Sequence, residues 1–251
     1  MIGNEKNLRL VTNATNVIEA FIRFYDQAVI HRDTRLVNWS SALHTAIFDI
    51  EFDNIEIEAF FKRKVPDHDE LVEFGVLTNF AYKVDDVDSG EELIVATTRL
   101  ETMLGDTGIA VHPEDIRYKH LIGTHVRHPF VNRKNPTVRD TALVGISFGT
   151  GVVKITPALD PNDFACGRRN SLPEITIFDK DVNVNANGGE KLNGMKRYVA
   201  RVSVEKELQK LDLLRGKEPN VMSLPVCSRS GKIIEPMLLP QWWMNCKQLE
   251  K

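Results

Sequence analysis

Between residues 12 and 30, apolar side chains recur every three to four positions: Val17, Phe21, Phe24 and Ala28, flanked by Ile18, Ile22, Tyr25 and Val29. That is a helical period, and Thr12 or Asn13 offers a short polar side chain to cap the first free amides. The apolar stripe is wide and predicts packing against a large surface. Over residues 45–60 the period shortens to two, with Ile47, Ile50, Phe52, Ile55 and Ile57 interleaved with Asp49 and Glu51. Strands with acidic outward positions follow from that alternation. A polar turn over Val84–Gly90 leads into the β-branched run Leu93–Thr98, a further strand. Gly, Pro and Asn break residues 105–150 into short strands and loops, and residues 151–156 form another strand, stopped by Pro157. Helical spacing returns over 161–170 and, more strongly, over 199–214, with a Gly/Asn-rich loop between 183 and 194. After Pro219 the tail, with Pro225, Pro236 and Pro240, is extended. Short strands mixed with few helices predict an α+β fold built around a β-barrel or open barrel with peripheral helices.

Composition narrows the function classes. The chain has 251 residues, 42% of them hydrophobic and 27% charged, with 15 Gly and 11 Pro, which is ordinary globular usage. Collagen-like, low-complexity and wholly disordered readings are thereby excluded. A net charge of −3 does not mark a nucleic-acid binder, which is usually basic. No apolar run approaches the ~18 residues needed to span a bilayer, and MIGNEKNLRL has no apolar secretory core. Cys166, Cys227 and Cys246 are widely separated, odd in number and free of any CxxC. They predict neither a disulfide framework nor a thiolate zinc site, and fit a reducing compartment.

Three familiar motifs fail on context. Gly145-Ile146-Ser147-Phe148-Gly149 matches GxSxG, but a nucleophile elbow needs a helix after the serine, and Thr150–Thr156 is strand-like. Gly149-Thr150-Gly151 begins a dinucleotide fingerprint, yet its third glycine position is Lys154. Gly231-Lys232 is followed by Ile233, which breaks a phosphate-binding loop. His120, His125 and His128 show no zinc spacing and read as exposed or packing residues.

Two polar islands remain. In Lys154-Ile155-Thr156-Pro157-Ala158-Leu159-Asp160-Pro161-Asn162-Asp163, strand alternation puts Lys154 and Thr156 on one face and Val153 and Ile155 on the core side. Asp160, Pro161 and Asp163 have the spacing of a helix cap. The same residues could equally converge on a small polar pocket for an ammonium group and a hydroxyl. The second island, Thr97-Thr98-Arg99-Leu100-Glu101-Thr102, ends an apolar strand, where a barrel mouth would lie; a plain Thr-rich strand end with one Glu/Arg pair fits its spacing as well.

With these residues in view, the chain resembles the editing domain of the valyl-tRNA synthetases, the insertion in their class I catalytic core. Asn38-Trp39-Ser40 with Asp49-Ile50-Glu51 resembles the lead-in, TTRLETMLGDTGIA (97–110) the threonine-rich motif and GTGVVKITPALDPND (149–163) the second editing motif. Cys227-Ser228-Arg229-Ser230-Gly231 with Glu235-Pro236 and Gln241-Trp242-Trp243 resembles the return to the core. The resemblance implies three parts: residues 1–50 as core rim, 51–220 as editing domain and 221–251 as return segment. It implies hydrolysis of mischarged threonyl-tRNA(Val), with no metal or cofactor for editing; ATP and magnesium would serve only the parent ligase. HIGH and KMSKS signatures are absent, so aminoacylation is not expected of this chain.

Carried over by position, the resemblance implies that Asp163 holds the substrate α-ammonium and that Lys154, Thr156 and Asp160 line the amino-acid pocket, with Asp160 a candidate for the threonine hydroxyl. It likewise implies that Thr98 and Arg99 form the wall near the ester and terminal ribose, that Phe148 lies near the adenosine, and that Thr97, Glu101 and Thr102 belong to the same binding site for the substrate and tRNA 3′ end. The implied partners are the tRNA(Val) 3′ end and the remainder of a synthetase in cis, with no membrane and a monomeric isolated domain. A cytoplasmic location is implied, with a mitochondrial parent as the alternative. The family usually carries Pro at Leu100 and His at Leu159. Two other readings stay open: an editing fold that only docks the tRNA end, and an isoleucyl-type editing domain.

Overall fold

The protein is described here from a computed structural model, which covers the backbone of residues 3–85, 90–147 and 149–249 and side chains from Ala14 onward. Its elements run α1 (Gly3–Asp26), β1 (Ile30–Ser40), β2 (Thr45–Ala46), β3 (Phe52–Ile57), β4 (Phe61–Lys64), β5 (Leu71–Phe74), β6 (Val76–Val84), β7 (Glu92–Thr97), β8 (Gly108–Val111), β9 (His125–Arg127), β10 (Lys134–Arg139), β11 (Val152–Ile155), α2 (Pro161–Arg169), α3 (Arg197–Lys210), β12 (Leu214–Pro219), β13 (Met222–Cys227) and β14 (Glu235–Met244). They divide into two compact units. Met1–Arg35 with Leu239–Lys251 forms the smaller, and Leu36–Leu238 the larger.

The larger unit is α+β and built on a seven-stranded, nearly closed barrel-like sheet. One edge of β6 pairs with β7 along its length, from Thr78 opposite Thr97 to Lys83 opposite Glu92. Its other edge takes β12 first and then β9 at Val84. From β9 the order continues through β10, β8 and β11, and β11 returns beside β7. The pleat sorts the side chains. Ala110, Val138, Val153 and Ile155 turn outward to pack with Cys166 of α2 and Leu172. Phe80, Tyr82, Leu93, Val95 and Ile109, all fully buried, lie on the inner face. Lys154 stands opposite Ile109 and Thr137 opposite Ile109 on its other side, so both point inward too. Alternation within residues 152–156 is therefore as the sequence predicted, with the polar members inside a barrel.

The first helix departs from expectation. It spans Gly3–Asp26, beginning well before the candidate caps at Thr12 and Asn13. It stops before Ala28, whose φ of 56° belongs to the left-handed region and breaks the helical ladder. Val17, Ile18, Ile22 and Tyr25 are exposed, contrary to the predicted burial of the stripe; Phe21 and Tyr25 meet Trp242 edge-on, at 5.1 and 6.0 Å. The 45–60 segment is β2 and β3 with a 3-10 turn at Asp49–Glu51 between them. Residues 86–89 of the predicted turn lie outside the described residues. No helix among the described residues is long and apolar enough to cross a membrane.

Candidate functional site

The site is assembled where β11 runs into α2. Asp160 adopts extended backbone and its Oδ1 accepts the amide hydrogens of Asn162 (2.8 Å) and Asp163 (3.1 Å), with Pro161 in the first helical position. Asp160 is thus the helix cap, and its Oδ1 is committed to that work. The cap fixes Asp163 one turn in and folds it back on the strand end, where its Oδ2 accepts the Thr156 amide at 2.9 Å. Asp163 is buried, and burial pushes its carboxyl up to about 7, partly opposed by the nearby Lys154 ammonium.

Lys154 and Thr156 project side by side, Nζ donating to Oγ1 at 2.6 Å. Both also reach Asp106, which follows a 3-10 turn (Leu100–Gly105): Lys154 Nζ donates to Oδ1 at 3.1 Å and Thr156 Oγ1 to the same oxygen at 2.5 Å. Tyr82 donates its hydroxyl to Asp106 Oδ2 at 2.8 Å. Gly105 eases this approach, because a Cβ there would lie 3.0 Å from Thr156 Cγ2, a tight contact. Arg133 grips the same segment from outside, donating to the carbonyls of Asp106 (2.6 Å) and Leu104 (3.3 Å). His128 adds a third clamp. Its Nδ1 accepts from the Phe130 and Val131 amides, so Nε2 carries the proton toward Met103 O at 2.8 Å. Burial lowers His128 to about 4 and raises Asp106 and Tyr82 above their ordinary values.

The threonine island divides in two. Thr97 faces the barrel interior and its Oγ1 accepts the Arg99 amide at 3.1 Å. Arg99 reaches the Leu159 carbonyl at 3.2 Å and pairs with buried Glu235, which also pairs with Arg197. This ties the island to the loop between Thr156 and Asp160. Thr102 donates to the Arg99 carbonyl at 2.8 Å. Glu101, by contrast, turns to Arg201, which holds both its oxygens at 2.6 and 2.8 Å. Burial opposes ionisation of Glu101, and the Arg201 charge overcomes it and lowers its pKa. Thr98 lines a separate cavity of about 210 Å³ with Thr78, Leu100, Tyr198 and Arg201, to which Lys154, Thr156, Asp160 and Asp163 do not contribute. Phe148 lies outside the described residues. The structure therefore brings Lys154, Thr156, Asp160 and Asp163 together, links Thr97, Arg99 and Thr102 to them through the backbone, and sends Thr98 and Glu101 elsewhere.

Sequence patterning does not single out Asp106 or Tyr82. A lone aspartate between Gly105 and Thr107 in an apolar stretch is the available signal, and its partners lie 24 to 50 positions away. The unassigned motifs are also placed. Ser147 is exposed in a turn with β11 after it, so no nucleophile elbow forms. Gly151 has φ 76°, and a Cβ there would stand 2.4 Å from Arg117 Nη2. The two departures are both buried, Leu159 completely and Leu100 nearly so. Among the described residues no group of three or more His, Cys, Asp or Glu side chains could hold a metal ion.

This geometry sits in a sequence with extensive relatives. Residues 6–251 match the family model for tRNA synthetases class I (I, L, M and V). The chain belongs to the class I tRNA synthetase family. It is 52% identical over 235 residues to the mitochondrial valine–tRNA ligase 1 of Arabidopsis thaliana, covering 94% of this chain and 21% of that protein. It is 50% identical over 236 residues to the mitochondrial valine–tRNA ligase of Saccharomyces cerevisiae, again 94% of this chain and 21% of that one. Against the Homo sapiens valine–tRNA ligase it is 48% identical over 233 residues, 93% and 18% respectively. The chain thus spans about a fifth of the length of the synthetases it matches.

Proposed function

We propose that this chain is the editing part of a valine–tRNA ligase and hydrolyses the ester of threonyl-tRNA(Val). The observation that carries the reading is the buried Lys154–Thr156–Asp163 cluster, whose hydrogen-bonding capacity is only partly used. Lys154 has three N–H groups and two acceptors in place. Asp163 uses Oδ2 on the Thr156 amide, leaving Oδ1 for an ammonium. A threonine side chain brings a hydroxyl that accepts from the remaining Lys154 N–H. Valine leaves that donor buried and unpaired, at a cost of about 1–3 kcal/mol. Such a second site answers a real difficulty, since an apolar pocket built for valine rejects threonine only about a hundredfold.

In this reading Asp163 fixes the α-ammonium, and Lys154 and Thr156 take the hydroxyl. The ester carbonyl is left at the rim, near the Thr97–Arg99 strand end. A water adds to the carbonyl carbon, the tetrahedral intermediate expels the ribose oxygen, and free threonine and intact tRNA leave. Positioning and fixed charge supply the rate, and the tRNA's own vicinal hydroxyl is the candidate base. Asp160 serves this site as the cap that places Asp163. The three-part division at residues 50 and 220, the tRNA partner and the ATP- and magnesium-dependent ligase activity of a longer protein belong to the same proposal.

Asp163→Ala is expected to reduce threonine release from threonyl-tRNA(Val) by at least about a hundredfold with the fold intact, the loss of a buried charge-to-charge contact. Near-normal turnover in the variant would remove Asp163 from the site.

A further inference from the structure

We propose that Asp106 is a positioning residue that sets the hydrogen-bond polarity of the pocket and thereby its preference for a hydroxyl-bearing side chain. The inference rests on the editing reading above and adds a residue that never touches substrate. Asp106 is fully buried and receives three donors, Lys154 and Thr156 on Oδ1 and Tyr82 on Oδ2. Lys154 can only donate and Thr156 has a single hydroxyl hydrogen. Once that hydrogen is committed to Asp106, Thr156 presents only lone pairs to its other neighbours. One of these already accepts from Lys154. Two of the three Lys154 N–H groups are committed in the same stroke. What remains for a ligand is one ammonium N–H beside a hydroxyl oxygen that accepts, the complement of an alcohol.

Without the Asp106 carboxylate, Thr156 regains a free hydrogen and Lys154 a second free N–H, and the pocket loses its defined polarity. The segment bearing Asp106 is held from behind by Arg133 and His128, so its placement does not depend on ligand. Asparagine at this position keeps one oxygen for Lys154 and Thr156 while its amide faces Tyr82, whose hydroxyl can turn and accept. Asp106→Asn is thus the conservative rescue and Asp106→Ala the loss. Tyr82→Phe removes a donor from Asp106 without touching Thr156 or Lys154, and serves as the control for mere destabilisation.

The test uses the whole chain and calorimetric binding of threonyl and valyl amides of 3′-amino-3′-deoxyadenosine, which cannot be hydrolysed. The expected result is a threonyl preference in the wild-type chain that falls at least about tenfold in Asp106→Ala. Asp106→Asn and Tyr82→Phe should stay within about threefold of wild type, whatever their melting temperatures. An unchanged preference in folded Asp106→Ala overturns the role of Asp106 and leaves the editing reading standing. No threonyl preference in the wild-type chain overturns the editing reading itself. If Asp106→Ala does not fold, the wild-type chain still decides. A Thr156 hydroxyl proton coupled across its hydrogen bond to the Asp106 carboxyl carbon in NMR supports the inference, and a proton directed elsewhere refutes it.

Discussion

In the editing reading, Asp163 combines a buried position with a task that requires charge. Its pKa of about 7 in the native state stands well above the ordinary 3.8. Between those values the native state holds a proton that the unfolded chain has released, so stability falls as pH rises from about 4 to about 7 and levels off above. Asp163→Asn keeps the acceptor for the Thr156 amide and removes that penalty. Its stability in urea at pH 8 should exceed wild type by a few kcal/mol, on the order of 4 at most. Activity runs the other way. Holding an ammonium needs the carboxylate, so kcat/KM for deacylation should drop below about pH 7, while kcat, measured with the ammonium bound, breaks at lower pH. A flat kcat/KM between pH 5.5 and 8 would contradict the role given to Asp163. At this scale the placement of Lys154, Thr156 and Asp163 beside one another was legible, because the two-residue strand period and the cap spacing are local. Asp106 was not, because its meaning comes from chain segments that meet only in the folded barrel.

At the scale of elements, β11 and α2 follow their sequence closely, since Pro157, Asp160 and Pro161 dictate where one stops and the other starts. The first helix does not. Its apolar stripe was visible, but its end is set by the left-handed Ala28, which no residue type announces. The pairing of β8 with β10 in parallel was equally hidden, since short strands carry no mark of their partners. That pair leaves a consequence inside the barrel. Thr107 Oγ1, both side-chain polar atoms of Asn135 and Thr137 Oγ1 are buried with no hydrogen-bond partner among the described residues. Thr137→Val replaces a hydroxyl by a methyl of the same shape and is expected to leave stability unchanged or raise it by about 1 kcal/mol in denaturant unfolding. A loss of more than about 1 kcal/mol would show that the hydroxyl is bonded.

Across the whole molecule, charge is used for construction more than for display. Arg99, Arg197 and Arg201 with Glu101 and Glu235 form buried pairs that tie the 3-10 turn, α3 and the start of β14 together. Because such pairs consume basic side chains internally, a net charge of −3 says little about nucleic-acid partners. In the editing reading, phosphate neutralisation falls to the other four-fifths of a synthetase, and this chain meets only an aminoacylated 3′ end. An editing site must discriminate, and one assay reads this directly: release of amino acid from threonyl-tRNA(Val) and from valyl-tRNA(Val) by this chain, side by side. Threonine is expected to be released at least about a hundredfold faster than valine, from the unpaired-donor cost of about 1–3 kcal/mol in binding and a further loss of positioning in the reaction. Equal rates for the two esters, or no release of threonine above the uncatalysed rate, would contradict it.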